Sequence, residues 1–281
     1  MRSLLLSIPL SLFTFLAVPA QKDELLFRLE KEHESFRTDE LDNIYLIDGV
    51  EISMWNKEGK HQYDYSKNSL GSITDVDLSR ALKPLVFYAG LSTLVVLDNT
   101  LSVQGRPVDL SRYGLDQAEL VCNSVNSHYW FYDGSRNELI RTDRSFRKVL
   151  ETGDLVRILN MRIAPTQMVE FRERLYLNAP SQGILVFDIF GSHLKTLPIK
   201  NAKHFQVSTD YIHFMRDSSY YSYNRTTHES ERLPLPEDDV ESVRTGKKRL
   251  YISNGKSVSV YKSQREKLPQ KESKVDPKGD R

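Results

Sequence analysis

Glu34-Ser35-Phe36-Arg37-Thr38, then Asn43-Ile44-Tyr45-Leu46-Ile47, then Ile52-Ser53-Met54-Trp55: this order decides the fold, because it returns near the other end of the chain. There it reads Glu241-Ser242-Val243-Arg244-Thr245, then Arg249-Leu250-Tyr251-Ile252-Ser253, then Val258-Ser259-Val260-Tyr261. Spacing agrees within two residues. Each segment is short, rich in β-branched and aromatic residues, and bounded by turn chemistry, which is the pattern of strands.

Four looser copies lie between. Taking Phe36, Val76, Val121, Phe171, Val207 and Val243 as equivalent anchors gives steps of 40, 45, 50, 36 and 36, with a mean near 41. A propeller blade of four strands takes roughly 40–50 residues. The sequence therefore predicts an all-β, six-bladed β-propeller with four-stranded antiparallel blades. Asp48-Gly49, Ala89-Gly90, Asp133-Gly134, Pro180-Ser181-Gln182-Gly183 and Asn254-Gly255 fall between the second and third strands of their copies. Gly at such places permits the positive φ that tight hairpins need. The last copy ends at its third strand, and the run Leu25-Leu26-Phe27-Arg28-Leu29 precedes the first. That run is expected to supply the missing outer strand of the last blade, closing the ring and removing a free sheet edge.

The ends read differently. Arg2, the apolar run Leu4 to Leu16 and the small residues Val18-Pro19-Ala20 have the order of a cleavable signal peptide, residues 1–20. The apolar run is short of the roughly 20 residues a spanning helix needs, and no later segment reaches that length. A single propeller domain is expected over 21–262, and a flexible charged tail over 263–281. With 39 basic and 38 acidic residues, the chain lacks the excess of a nucleic-acid binder. Cys122 is the one cysteine, so the chain holds no internal disulfide, and its apolar setting reads as a buried structural thiol.

These copies resemble the β-propeller superfamily, including its NHL-like and YWTD-like members. The stretch Ser69-Leu70-Gly71-Ser72-Ile73-Thr74-Asp75-Val76-Asp77, continuing to Leu85-Val86-Phe87-Tyr88 and Val96-Leu97-Asp98-Asn99, resembles exported propeller-like proteins of Bacteroidota without assigned activity. The resemblance implies the periplasm or outer envelope of a Gram-negative bacterium. It brings no catalytic residues.

Motifs for chemistry are sparse. Seven histidines form no metal-ligand pattern, and Asp75-x-Asp77 lacks the rest of a calcium loop. No Gly-x-Ser-x-Gly elbow or phosphate loop is present. No catalytic residue, metal or cofactor is assigned. The residues after the six anchors are Arg37, Asp77, Cys122, Arg172, Ser208 and Arg244. On inner strands they would share one level around the channel. Arg37, Asp77, Arg172 and Arg244 are thus candidate binding residues. The arginines would hold an anion, or else pair with carboxylates between blades. Glu51, Arg136, Arg216 and Lys256, in the loops between second and third strands, are candidate contacts for a partner. Trp130 and Tyr176 align with second strands and read as core.

The reading is a monomeric, non-enzymatic envelope module for binding or assembly. Its partner would be an envelope protein or an extracellular polymer. A propeller hydrolase or lyase acting on a polymer is the alternative, and an anion- or sugar-sensing protein a third.

Overall fold

The computed structural model describes residues 23–263; the expected signal peptide (1–20) and all but the first residue of the expected tail (263–281) lie outside them. Six four-stranded antiparallel sheets follow one another. Five are built in sequence order: blade 1 (35–66), blade 2 (75–109), blade 3 (118–151), blade 4 (167–197) and blade 5 (203–233). Blade 6 takes three strands from 242–262 and its outermost from Glu24–Glu30. Leu29 lies opposite Val258 and Phe27 opposite Val260, so the run before the first copy closes the ring as expected.

Each blade alternates its side chains between two neighbours, because a strand has a period of two. The buried apolar residues accordingly form six clusters, each between adjacent blades. Phe36, Leu46, Tyr251 and Val260 join blades 6 and 1; Trp130, Leu139, Met168 and Leu177 join blades 3 and 4. Trp130 is wholly buried and Tyr176 almost so. Burying a large apolar side chain is worth about 2–3 kcal/mol, so no blade is stable apart from its neighbours.

One turn recurs in blades 1 to 5, between the third and fourth strands. The side-chain oxygens of Asn56, Asp98, Asp143, Asp188 and Asn224 each accept two backbone N–H groups from residues two to four positions on, at 2.8–3.0 Å. The chain then passes through positive φ at Gly59, Leu101, Phe146, Gly191 and His228. Asn and Asp favour such turns because the side chain replaces a backbone acceptor. Leu101 and Phe146 tolerate the left-handed conformation while packing into the cores beside blade 2.

The anchors need correction in two blades. Phe36, Val76, Val121 and Val243 pack toward the preceding blade. In blade 4 the residue in that position is Met168, not Phe171, which packs toward blade 5; in blade 5 it is Phe205, with Val207 packed against the same cluster. The inner strand of blade 4 runs Gln167–Phe171, so Phe171 is its last residue. That of blade 5 carries a bulge between Lys203 and Gln206, which shifts the count.

Candidate functional site

The inner strands meet around the axis, and polar side chains tie each to the next. Arg37 donates to Asp75 Oδ1 at 2.8 Å, from blade 1 to blade 2. Asp77 accepts from the backbone N–H of Asn123 at 2.6 Å and from its side-chain amide at 3.2 Å. Glu170 reaches back from blade 4 and accepts from Ser124 Oγ, from Val125 N at 2.9 Å and from Trp130 Nε1 at 2.7 Å. The side-chain amides of Gln167 and Gln206 each exchange two hydrogen bonds with the backbone of the next blade, at Phe205 and Thr245 respectively. Arg244 Nε donates to Thr38 Oγ1 at 3.3 Å, from blade 6 to blade 1. Every blade interface thus carries a polar link where apolar packing gives way to the channel.

These links divide the channel. On the face that carries the turns after the inner strands lies a cavity of about 790 Å³. Its walls come from blades 1, 2, 4, 5 and 6. Blade 3 is screened off by Asp77, Glu170 and Arg80, the last donating to Ser124 O and Ser127 Oγ. Arg37 and Arg244 line this basin and also a pocket of only about 40 Å³ toward the opposite face, shared with His204. Arg37 and Arg244 therefore stand between the two hollows.

The electrostatics follow from this crowding. Burial, and then the charge of Arg37, push Arg244 down to about 10. Desolvation, and then the charges of Arg37, Arg244 and Lys203, push His204 down to about 4, although the residue as a whole is exposed. Burial raises Asp77 above the usual carboxylate range, against the hydrogen bonds from Asn123 and Ser79 that lower it. Burial pushes the Cys122 thiol well up, so it stays protonated and unreactive.

Of the residues expected at one level, the structure brings Arg37, Asp77 and Arg244 to the inner ring. Arg172 stands elsewhere, exposed in the turn after the inner strand of blade 4, with φ of 49° and its guanidinium over the Phe171 ring. It lines the wall of the basin. Glu51, Arg136, Arg216 and Lys256 lie on the opposite face. Glu51 pairs with Lys31 at 2.8 Å, Arg136 with Glu138 at 3.4 Å, and Arg216 stacks over Tyr221 at 4.4 Å. The links made by Glu170, Gln167 and Gln206 were not singled out from the sequence. Their only signal is a polar residue beside the anchor of an inner strand. Among the described residues, no group of three or more His, Cys, Asp or Glu is placed to hold a metal, and no helix is long and apolar enough to cross a membrane.

No family model and no curated protein matches the chain. Solved structures do. A streptogramin B lyase is 12% identical, with a TM-score of 0.55, over 80% of this chain and 77% of that one. BamB from Moraxella catarrhalis is 12% identical, with a TM-score of 0.50, over 82% of both chains. A protein of unknown function from Bacteroides caccae is 9% identical, with a TM-score of 0.53, over 75% of this chain and 82% of that one. Likeness at such identities is one of fold, and by its fold this chain is a six-bladed β-propeller.

Proposed function

We propose that this protein is a non-enzymatic binding module of the Gram-negative cell envelope, exported by its N-terminal segment, that receives part of a protein partner in the basin. The observation that carries the reading is how the basin's acidic groups are spent. Of the seven acidic residues that line it, Asp39, Asp42, Asp75, Asp77 and Glu170 accept hydrogen bonds that hold turns or neighbouring blades, and Glu40 and Asp210 are the exposed remainder. Groups so committed serve the ring, whereas acid–base catalysis needs a carboxyl that can reach a substrate. The rim offers what partners use instead. Leu41 and Leu82 are exposed at 54 and 67% on the turns after the inner strands of blades 1 and 2, and Phe190 at 72% on an outer turn of blade 4 on the same face, while charged Glu40, Arg172, Asp210 and Lys247 line the basin. A rim mixing exposed apolar and charged residues around a hollow suits a protein interface.

The test is a pair of variants on each face, assayed by crosslinking of the full chain in envelopes of its host. Leu82→Asp and Phe190→Asp should abolish a specific crosslinked species, and Arg136→Ala and Lys256→Ala should leave it. The reverse dependence would overturn the assignment of the face.

One observation favours a hydrolase or lyase instead. Burial raises Asp77 above the usual carboxylate range on the wall of a large cavity, the direction a general acid needs. Loss of polymer cleavage in a folded Asp77→Asn variant would establish that reading.

A further inference from the structure

Between the two hollows stands a cation whose charge nothing in its surroundings takes up directly. Arg244 spends Nε on the hydroxyl of Thr38. Among the described residues no carboxylate lies within 4.0 Å of its guanidinium, although Asp75 and Asp77 are near enough to be felt. Both are occupied. Asp75 Oδ1 takes Arg37 at 2.8 Å and the Val76 N–H at 2.8 Å. Asp77 takes the backbone and side chain of both Ser79 and Asn123. The two terminal nitrogens of Arg244 therefore have no oxygen assigned to them by the ring. They stand beside a second guanidinium, Arg37, that repels them, at the floor of a cavity of about 790 Å³. Largely enclosed charges are kept in proteins when something pairs with them.

We infer that the floor of the basin is a carboxylate-binding site, in which the outer edge of Arg244 forks onto the two oxygens of a ligand entering from the basin face. The fork matches a carboxylate in shape, and its N–H groups lie in one plane fixed by the Thr38 contact. Arg37 adds a second positive charge behind it while remaining tied to Asp75. The inference deepens the reading of the basin as a binding surface and rests on it: the feature of the partner that reaches deepest is an anionic terminus or acidic side chain.

The test is isothermal titration of the full chain at constant ionic strength. The probes are trialanine, which carries a terminal carboxylate, N-acetyl-aspartate amide, which carries only a side-chain one, and inorganic phosphate. Saturable binding of either carboxylate supports the site, and the stronger of the two identifies the source. Arg244→Gln should weaken that binding about ten-fold or more, since a hydrogen-bonded charged contact is lost. Arg244→Lys should restore it only in part, because it keeps the charge and loses the fork. Arg157→Gln, exposed on the short helix between blades 3 and 4 and outside the basin lining, should leave it unchanged. Equal affinity in Arg244→Gln with unchanged melting would overturn the site, as would silence of both carboxylates, whether or not phosphate binds. Failure here with the crosslinking pattern intact would remove the carboxylate and leave the docking face standing.

Discussion

Replacing Glu170 by Ala should loosen the joint between blades 3 and 4 more than any single change of a polar residue at the channel wall. Its carboxylate gathers three donors from blade 3: Ser124 Oγ, Val125 N and Trp130 Nε1. Ser124 also accepts from Arg141, and its hydroxyl proton can turn elsewhere. The indole N–H of the fully buried Trp130 and the amide of Val125 cannot. A buried donor left unmade costs about 1–3 kcal/mol. Glu170 borders the basin, so water entering the space left by the truncation can satisfy one of the two. The one donor left unmade costs about 1–3 kcal/mol and the two bonds exchanged for weaker ones about 1 kcal/mol more between them, so the expected loss is about 2–4 kcal/mol, or about 4–16 °C in Tm for a domain of this size. Urea unfolding followed by tryptophan emission measures it directly, because Trp130 is itself the reporter. Glu170→Gln keeps one acceptor and should fall between. Glu173→Ala, exposed in the next turn, should change stability by less than about 0.5 kcal/mol. A Glu170→Ala protein within 1 kcal/mol or so of the parent would refute the claim that these links, beyond apolar packing, hold the blades in register.

Other outcomes follow from the same geometry. Gly183 has φ of +124°, and a Cβ there would sit 2.1 Å from the Leu197 carbonyl oxygen, so Gly183→Ala must displace the outer strand of blade 4. A loss of about 2–4 kcal/mol in denaturant unfolding is expected. Leu29, on the closing strand, packs with Val258 and Val260, and Leu29→Ala should cost about 2–4 kcal/mol and speed hydrogen exchange across blade 6 first. His204 is held down to about 4 in the folded chain against about 6.5 when unfolded, so folding releases its proton between those values. Its contribution to stability is whole above pH 6.5 and is lost as pH falls toward 4. His204→Gln should flatten stability over that window, and imidazole NMR shifts should show no protonation until near pH 4. Cys122 should resist a thiol reagent until the chain unfolds, so its labelling rate should track the opening of blade 3.

The sequence carried the ring but not its register everywhere. Repeats anchored by Phe36 and Val243 are visible because each stands alone as an apolar residue in a short polar strand, and the closing run before the first copy follows from counting strands. Blade 4 misleads because its inner strand carries apolar residues toward both neighbours. Met168 faces blade 3, while Val169 and Phe171 face blade 5, so alternation does not say which residue is the anchor. In blade 5 a bulge breaks the alternation itself. Hence Arg172 was placed in the ring, when the positive φ of Arg172 and Glu173 makes the hairpin turn there. The Asn and Asp turns of blades 1 to 5 are readable in principle, since each of these residues lies at or within two positions of the end of a third strand. The links by Glu170, Gln167 and Gln206 were not, because their partners are 38 to 46 positions away and are mostly backbone groups with no residue signature.

That division of labour bears on function. A propeller needs its inner strands to satisfy backbone and side-chain polar groups where six sheets converge and apolar packing thins. At five of the six joints the linking groups find their hydrogen-bond partners within the ring: an ion pair between blades 1 and 2, carboxylates that each gather several neutral donors at the next two, and amides on backbone at the next two. The joint between blades 6 and 1 is different. It joins two arginines, and one of them is balanced across the 1–2 joint while the other has only a hydroxyl. A joint built only for structure would be served as well by a third glutamine, which could bond the neighbouring backbone as Gln167 and Gln206 do. If Arg244→Gln proves as stable as the parent or more so, the arginine costs the fold something that the ring does not require, and the reason for it must lie in what enters the basin.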